Sequence, residues 1–222
     1  MLKLCVKSLL AVVLAVVVIG LLHPQAALAG EVTVSGSTLG GFNAQTPGAS
    51  NTLVGLTYNN STFGGTTALG ILAIGSAPTP PNNTNNLGSF TLGTTPFNYT
   101  GNTFRLQVTF SLPTGINGGD TSTFTSTLLG VVTSNPNTGG VFINFNNTPT
   151  VFTFTNAQGT GTFTVQLNDV SVGRGQTVPL TGTITGASFT AAVPEPASLL
   201  LLGTGLLGTA GVVRRKSRKK TA

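Results

Sequence analysis

Phe104-Arg105-Leu106-Gln107-Val108-Thr109-Phe110-Ser111-Leu112 alternates apolar and polar residues without a break. Successive side chains of an extended chain point to opposite faces, so the five apolar residues share one face and the polar residues the other. A helix would scatter the same residues around its surface. The stretch therefore predicts a half-buried β-strand, and its neighbours read the same way. Val151-Phe152-Thr153-Phe154-Thr155 and Thr162-Phe163-Thr164-Val165-Gln166-Leu167 repeat the pattern. Val141-Phe142-Ile143-Asn144-Phe145 is more apolar and is expected nearer the middle of a sheet. Further strands are expected near Val32–Ser37, Leu53–Tyr58, Ala68–Ile74, Ser89–Leu92, Thr123–Thr133 and Leu180–Phe189.

Turn residues punctuate these segments: Leu112-Pro113-Thr114-Gly115, Asn117-Gly118-Gly119-Asp120, Ser134-Asn135-Pro136-Asn137 and Gly173-Arg174-Gly175. Thr is abundant and favours strands, because branching at Cβ stiffens χ1. Many short strands between frequent turns predict an all-β fold: an antiparallel β-sandwich, jelly-roll-like, with most of the 13 Phe in its core. Ala77-Pro78-Thr79-Pro80-Pro81-Asn82-Asn83-Thr84-Asn85-Asn86 reads as an exposed, mobile loop. The segment before it is too short to build a separate core without disulfides. Residues 30–192 are therefore read as one domain, flanked by residues 1–29 and 193–222.

The 222 residues carry 10 Lys and Arg against 4 Asp and Glu, a formal charge of +6. Such a balance ordinarily points to nucleic acid or a membrane surface. Eight of the cations, however, lie in two terminal blocks: Lys3 and Lys7, then Arg214, Arg215, Lys216, Arg218, Lys219 and Lys220. Residues 30–192 hold two cations, Arg105 and Arg174, against three carboxylates, Glu31, Asp120 and Asp169. No basic surface is left for nucleic acid.

The first block opens a recognisable order. Lys3 and Lys7 precede the apolar stretch Leu9 to Leu22, His23-Pro24 breaks it, and Ala27-Leu28-Ala29 follows. A basic head, an apolar centre and a small-x-small site describe a secretory signal peptide, removed by signal peptidase after Ala29 to leave Gly30. The alternative is an uncleaved anchor helix, for which the run is short. Cys5 lies before the apolar run, out of place for a lipoprotein. The single Cys and single His, Cys5 and His23, leave with this segment. Disulfides, Cys/His zinc sites, thiol nucleophiles and Ser-His-Asp triads leave with them.

At the other end, Val193-Pro194-Glu195-Pro196 leads through Ala197-Ser198 into the apolar stretch Leu199 to Val213, and the basic block follows at once. The prolines hold the backbone extended before Pro196. Residues 197–213 reach the short end of what spans a bilayer as a helix. The cations of residues 214–222 stay in the cytoplasm by the positive-inside rule, which places the preceding domain outside.

Motif, apolar span and basic stop, in this order, resemble the PEP-CTERM sorting signal of Gram-negative bacteria. The resemblance rests on Val193, Pro194, Glu195 and Pro196, on the apolar segment and on the cluster from Arg214-Arg215. It implies recognition by exosortase, a membrane-embedded, transpeptidase-like cysteine enzyme that cuts near the motif. It also implies transient residence in the inner membrane and delivery to the cell surface or a secreted polysaccharide matrix. An ordinary uncleaved single-pass anchor has the same span physics. Within the domain, Leu87-Gly88-Ser89-Phe90-Thr91, Pro96-Phe97, the strand from Phe104 and Leu128-Leu129-Gly130-Val131 faintly resemble choice-of-anchor modules. These are β-rich units with no assigned activity, so that likeness implies a fold and no site.

Catalytic and cofactor chemistry finds little footing. Asp120 sits in a Gly-rich turn and Asp169 follows Asn168 at a strand end, where Asp serves local backbone hydrogen bonds. A two-carboxylate hydrolase would need that pair across a cleft. A Ca²⁺ site from Asn117, Asp120, Asn168 and Asp169 has too few carboxylates and no matching loop spacing. No Lys follows the Gly pairs as a phosphate loop requires. With no Trp, Tyr58 and Tyr99 are the candidate aromatic platforms for carbohydrate. The expectation is a non-enzymatic exported protein with no cofactor or metal. Its partners are signal peptidase, exosortase, the inner membrane and extracellular polysaccharide. The alternative is a lectin-like module on an uncleaved anchor.

Overall fold

The structure is a computed structural model that describes residues 30–43, 46–75, 85–135 and 138–192, together with Gly205. Sixteen strands follow in chain order. The first eight are β1 (Thr33–Phe42), β2 (Thr52–Leu53), β3 (Leu56–Asn59), β4 (Thr62–Thr66), β5 (Leu72–Ile74), β6 (Ser89–Leu92), β7 (Phe97–Asn98) and β8 (Thr103–Leu112). The others are β9 (Thr121–Leu129), β10 (Val131–Val132), β11 (Gly140–Phe145), β12 (Thr150–Asn156), β13 (Gly159–Leu167), β14 (Val170–Gly173), β15 (Thr177–Pro179) and β16 (Gly182–Ala191). The all-β reading holds, and every pairing between these strands is antiparallel.

Strand β8 is the alternating stretch that opened the sequence. Phe104, Leu106, Val108 and Phe110 are buried. It lies inside a six-stranded sheet ordered β14-β11-β9-β8-β1-β4. Leu112 departs from the pattern and is 42% exposed. Gly36 of β1 pairs with Phe110, but Ser35 pairs with Leu112, so Ser111 is an extra residue and the alternation breaks there. A Cβ on Gly36 would run into the Phe63 ring and the Thr109 carbonyl, so only glycine fits this bulge.

Two four-stranded sheets pack on the six-stranded one, β12-β13-β16-β5 and β15-β6-β3-β2. The aromatic side chains of β8 mark the contacts. The Phe110 ring lies 4.9 Å from Phe152 of β12 and 5.3 Å from Phe163 of β13. Six residues earlier on the same buried face, the Phe104 ring lies 4.9 Å from Tyr58 of β3 and 4.9 Å from Phe90 of β6. One strand thus seals against both smaller sheets, and edge-on ring geometry is common among the contacts. A short β10-β7 pair completes the pairing.

Several boundaries differ from the sequence reading. The expected strand Ala68–Ile74 is a strand only over β5, because Leu69 and Gly70 form the centre of a hairpin turn. Leu53–Tyr58 is split at Val54-Gly55, which both take positive φ, and Thr123–Thr133 is split at Gly130, also at positive φ. β4, β7, β14 and β15 were not anticipated; they are short, and glycine or proline dilutes three of them. Residues 77–84 of the Pro/Asn-rich loop lie outside the described residues. Its end is tied in: Asn85 donates its N–H to the Thr62 carbonyl, and buried Asn86 accepts from the Gly88 N–H.

Candidate functional site

The two ends of the domain meet. Gly30, expected as the new amino terminus, donates its N–H to the Phe189 carbonyl at 2.9 Å in an isolated antiparallel bridge. Phe189 lies on β16, which ends at Ala191, just before the expected sorting motif. β5 covers one side of β16 only from Gly182 to Ile184. Beyond Ile184 that side accepts the amino-terminal segment and the β4–β5 turn instead: Gly30 bonds to Phe189, and Ala187 donates to the Gly70 carbonyl at 3.1 Å.

Glu31 fastens the junction. Its carboxylate accepts from the Thr67 hydroxyl, from the Leu69 N–H at 2.7 Å and from the Gly70 N–H at 3.2 Å. The Thr67 hydroxyl bond, helped by the two backbone N–H groups, holds the carboxyl below the usual range against the opposing effect of burial. Val32 adds a reciprocal pair with Thr67: Val32 N–H to Thr67 Oγ1 at 2.9 Å and Thr67 N–H to the Val32 carbonyl at 3.0 Å. The turn held by Glu31 is a two-residue hairpin closed by Ala68 and Ile71 in both directions, at 2.8 and 3.1 Å. Leu69 and Gly70 take φ of 54° and 75°, the geometry of a type I′ turn.

Other residues singled out by sequence take separate, local roles. Asp169 accepts from the Phe145 N–H at 2.9 Å and the Asn147 side chain at 3.3 Å, securing the end of β11. Asp120 is exposed in the β8–β9 turn, where its carbonyl accepts from the Phe110 N–H. Phe145 pairs with Ser126, six residues along β9 from Asp120, which sets the two acids roughly 20 Å apart along the strand. Two-carboxylate glycoside chemistry uses about 5–10 Å. Asn117 bonds to Thr153 Oγ1 and Asn168 to Thr181 Oγ1, so the four oxygen-bearing side chains do not converge on a cation. Among the described residues no three Asp, Glu, His or Cys side chains gather.

The tyrosines are a correction. Tyr58 and Tyr99, read as candidate carbohydrate platforms, are both fully buried. The Tyr58 hydroxyl donates to the Leu87 carbonyl at 2.6 Å and lies 3.0 Å from Thr38 Oγ1. Burial raises its pKa well above the ordinary tyrosine range. The Tyr99 hydroxyl donates to the Val54 carbonyl at 2.5 Å, and burial raises its pKa too. Each ring is core with its polar tip satisfied internally, so neither offers a face to a sugar.

Ala27, Ala29, Val193, Pro194, Glu195, Pro196, Arg214, Arg215, Lys216, Arg218, Lys219 and Lys220 lie outside the described residues, as do the expected signal helix and, apart from Gly205, the span 197–213. Among the described residues no helix is long and apolar enough to cross a membrane. The sorting residues are instead placed by comparison with known families: residues 192–216 match the family model of the PEP-CTERM protein-sorting motif. The chain carries a PEP-CTERM sorting signal. The PEP-CTERM match begins one residue after β16 ends and takes in Val193–Pro196, the apolar stretch and Arg214–Lys216. It implies an exported protein, held transiently in the membrane and processed by exosortase. No curated protein and no solved structure matches the chain.

Sequence reasoning marked Gly30 and the PEP-CTERM motif but missed the Glu31 clamp and the Leu69-Gly70 turn. Glu31 gives no local sign, since its partners lie at Thr67, Leu69 and Gly70. The turn had a faint one: a glycine at the second centre position between apolar residues.

Proposed function

We propose that this is a non-enzymatic surface or extracellular-matrix protein. Signal peptidase removes residues 1–29, the PEP-CTERM tail holds the domain at the outer side of the inner membrane, and exosortase releases it to the surface or to secreted polysaccharide. The observation that carries the reading is the PEP-CTERM motif directly after the last strand, with no intervening domain between β16 and the tail.

The fold supports this role in two ways. The chain crosses repeatedly between the six-stranded sheet and the smaller ones, as from β1 to β3, β3 to β4 and β13 to β14. This favours a jelly-roll-like sandwich over a simple meander. The solvent face of the six-stranded sheet carries exposed Thr121, Thr123, Thr125 and Thr127 on β9, opposite Thr109, Gln107, Arg105 and Thr103 of β8. Contact with polysaccharide would use these hydroxyl and amide groups rather than aromatic stacking.

Intact-mass measurement of the protein recovered from the cell surface and medium tests the reading. The expected species begins at Gly30 and lacks residues 214–222. An exported, mature form that retains Arg214–Ala222 overturns exosortase processing.

A further inference from the structure

The β4–β5 hairpin tip presents a residue that neither conformation nor solvent favours. Leu69 is 94% exposed at φ 54°, and Ile71 beside it is 53% exposed. The first centre of a type I′ turn favours Asn, Asp or Gly, because a side chain with a Cβ is strained at positive φ. A large apolar side chain adds the cost of exposure to water. The tip is also held rigidly. Two backbone bonds close it, Glu31 accepts both centre N–H groups, and Gly70 accepts from Ala187. Leu69 is thus fixed outward rather than free to fold back.

Its location on the chain brings one surface within reach. Ala187 lies four residues before the end of β16, and the apolar stretch of the sorting tail begins at Leu199. Seven peptide units separate Ala192 from Leu199, a reach of at most about 25 Å even when extended. The amino terminus at Gly30 is bonded to Phe189 on the same strand end. While the tail spans the bilayer, the twelve residues from Ala187 to Leu199 keep the tip within about 40 Å of the start of the apolar span, which leaves the headgroups within its reach.

We propose that Leu69 and Ile71 form a membrane-contact tip that inserts into the interfacial layer of the bilayer, docking the domain beside its own tether before cleavage. Two apolar side chains give weak partitioning alone. The tether makes the contact intramolecular, so weak contact suffices, and release of the tail removes that advantage. Cleavage thus detaches a docked domain without a separate undocking step. The proposal rests on the tail-anchored state of the proposed function.

The test uses residues 30–222, the tail-bearing form left after signal-peptide removal and free of Cys, reconstituted in phosphatidylethanolamine–phosphatidylglycerol vesicles. An environment-sensitive fluorophore is attached at Leu69→Cys or, as a control, at Thr125→Cys on the exposed face of β9. Leu69 is almost fully exposed, so its replacement removes no packing. Lipids brominated near the headgroup are expected to quench the probe at position 69 and leave position 125 bright. The double variant Leu69→Ser, Ile71→Ser, probed at Ala68→Cys, should lose roughly tenfold in docked fraction per apolar side chain removed. Equal brightness at both positions on chains that still float with vesicles overturns the docking and leaves the anchor intact. Chains that do not float overturn both. A blue shift without vesicles that grows with protein concentration assigns the tip to a second copy of the chain and overturns the proposal.

Discussion

The Gly30 N–H and the Phe189 carbonyl, from opposite ends of the domain, form a 2.9 Å hydrogen bond. The residue expected to follow the signal peptide is thereby built into the last strand before the sorting motif. Val32, next along, is buried and bonds twice to Thr67. Val32→Asp would bury an unpaired carboxylate and is expected to cost about 3 kcal/mol or more. Urea unfolding monitored by circular dichroism should show the midpoint fall accordingly, while Thr33→Ser on the exposed face should leave it in place.

Glu31 makes stability depend on pH in a definite direction. Its carboxyl is held below its unfolded value by the Thr67, Leu69 and Gly70 donors. The unfolded chain therefore binds the proton first as pH falls. The contribution is fully present above the ordinary carboxylate pKa and is lost as pH falls through the lowered folded value. Melting temperature should decline on that acid limb more steeply for the wild type than for Glu31→Gln. Parallel acid limbs would show that the clamp contributes nothing.

Tyr58 should act as core. Tyr58→Phe keeps the ring contacts to Phe90 and Phe104 but leaves the Leu87 carbonyl without its donor, a loss of about 1–3 kcal/mol. Any polysaccharide binding measured on the wild type should be retained by the folded variant. Loss of binding with unchanged stability would restore the tyrosine-platform idea.

Gly88 meets that same hydroxyl from the other side. It takes φ of 106°, and an added Cβ would overlap the Tyr58 ring tip. Gly88→Ala is expected to cost about 2–4 kcal/mol from overpacking together with strain at positive φ. The check is a thermal melt beside Gly101→Ala. Gly101 has a similar positive φ but open space around it, so that variant carries the backbone strain alone.

Asp169 should prove structural. Asp169→Asn retains one acceptor for two donors, Phe145 N–H and the Asn147 amide, and is expected to cost about 1–2 kcal/mol. Chemical denaturation reads that cost directly. Degradation of matrix polysaccharide by the wild type that vanishes in Asp169→Asn, with the fold intact, would reverse the non-enzymatic reading.

Elements whose physics is local could be read from the residues alone. β8 was legible because alternation is a property of nine successive side chains, and β6 was read to the residue. The charge blocks and apolar runs at the termini were legible because membrane insertion responds to stretches of chain rather than to a fold. Whatever depends on distant partners was settled by packing between the sheets. Leu112 turned outward because a bulge opposite Gly36 shifted its register. Tyr58 and Tyr99 turned inward because the rings of Phe90, Phe104 and Phe97 lie against them. Glu31 became a clamp because β16 leaves its side open beyond Ile184 for Gly30 and the Leu69-Gly70 turn to occupy. The same period of two that names a strand is silent on which face will be covered, since that depends on the sheet that packs across it.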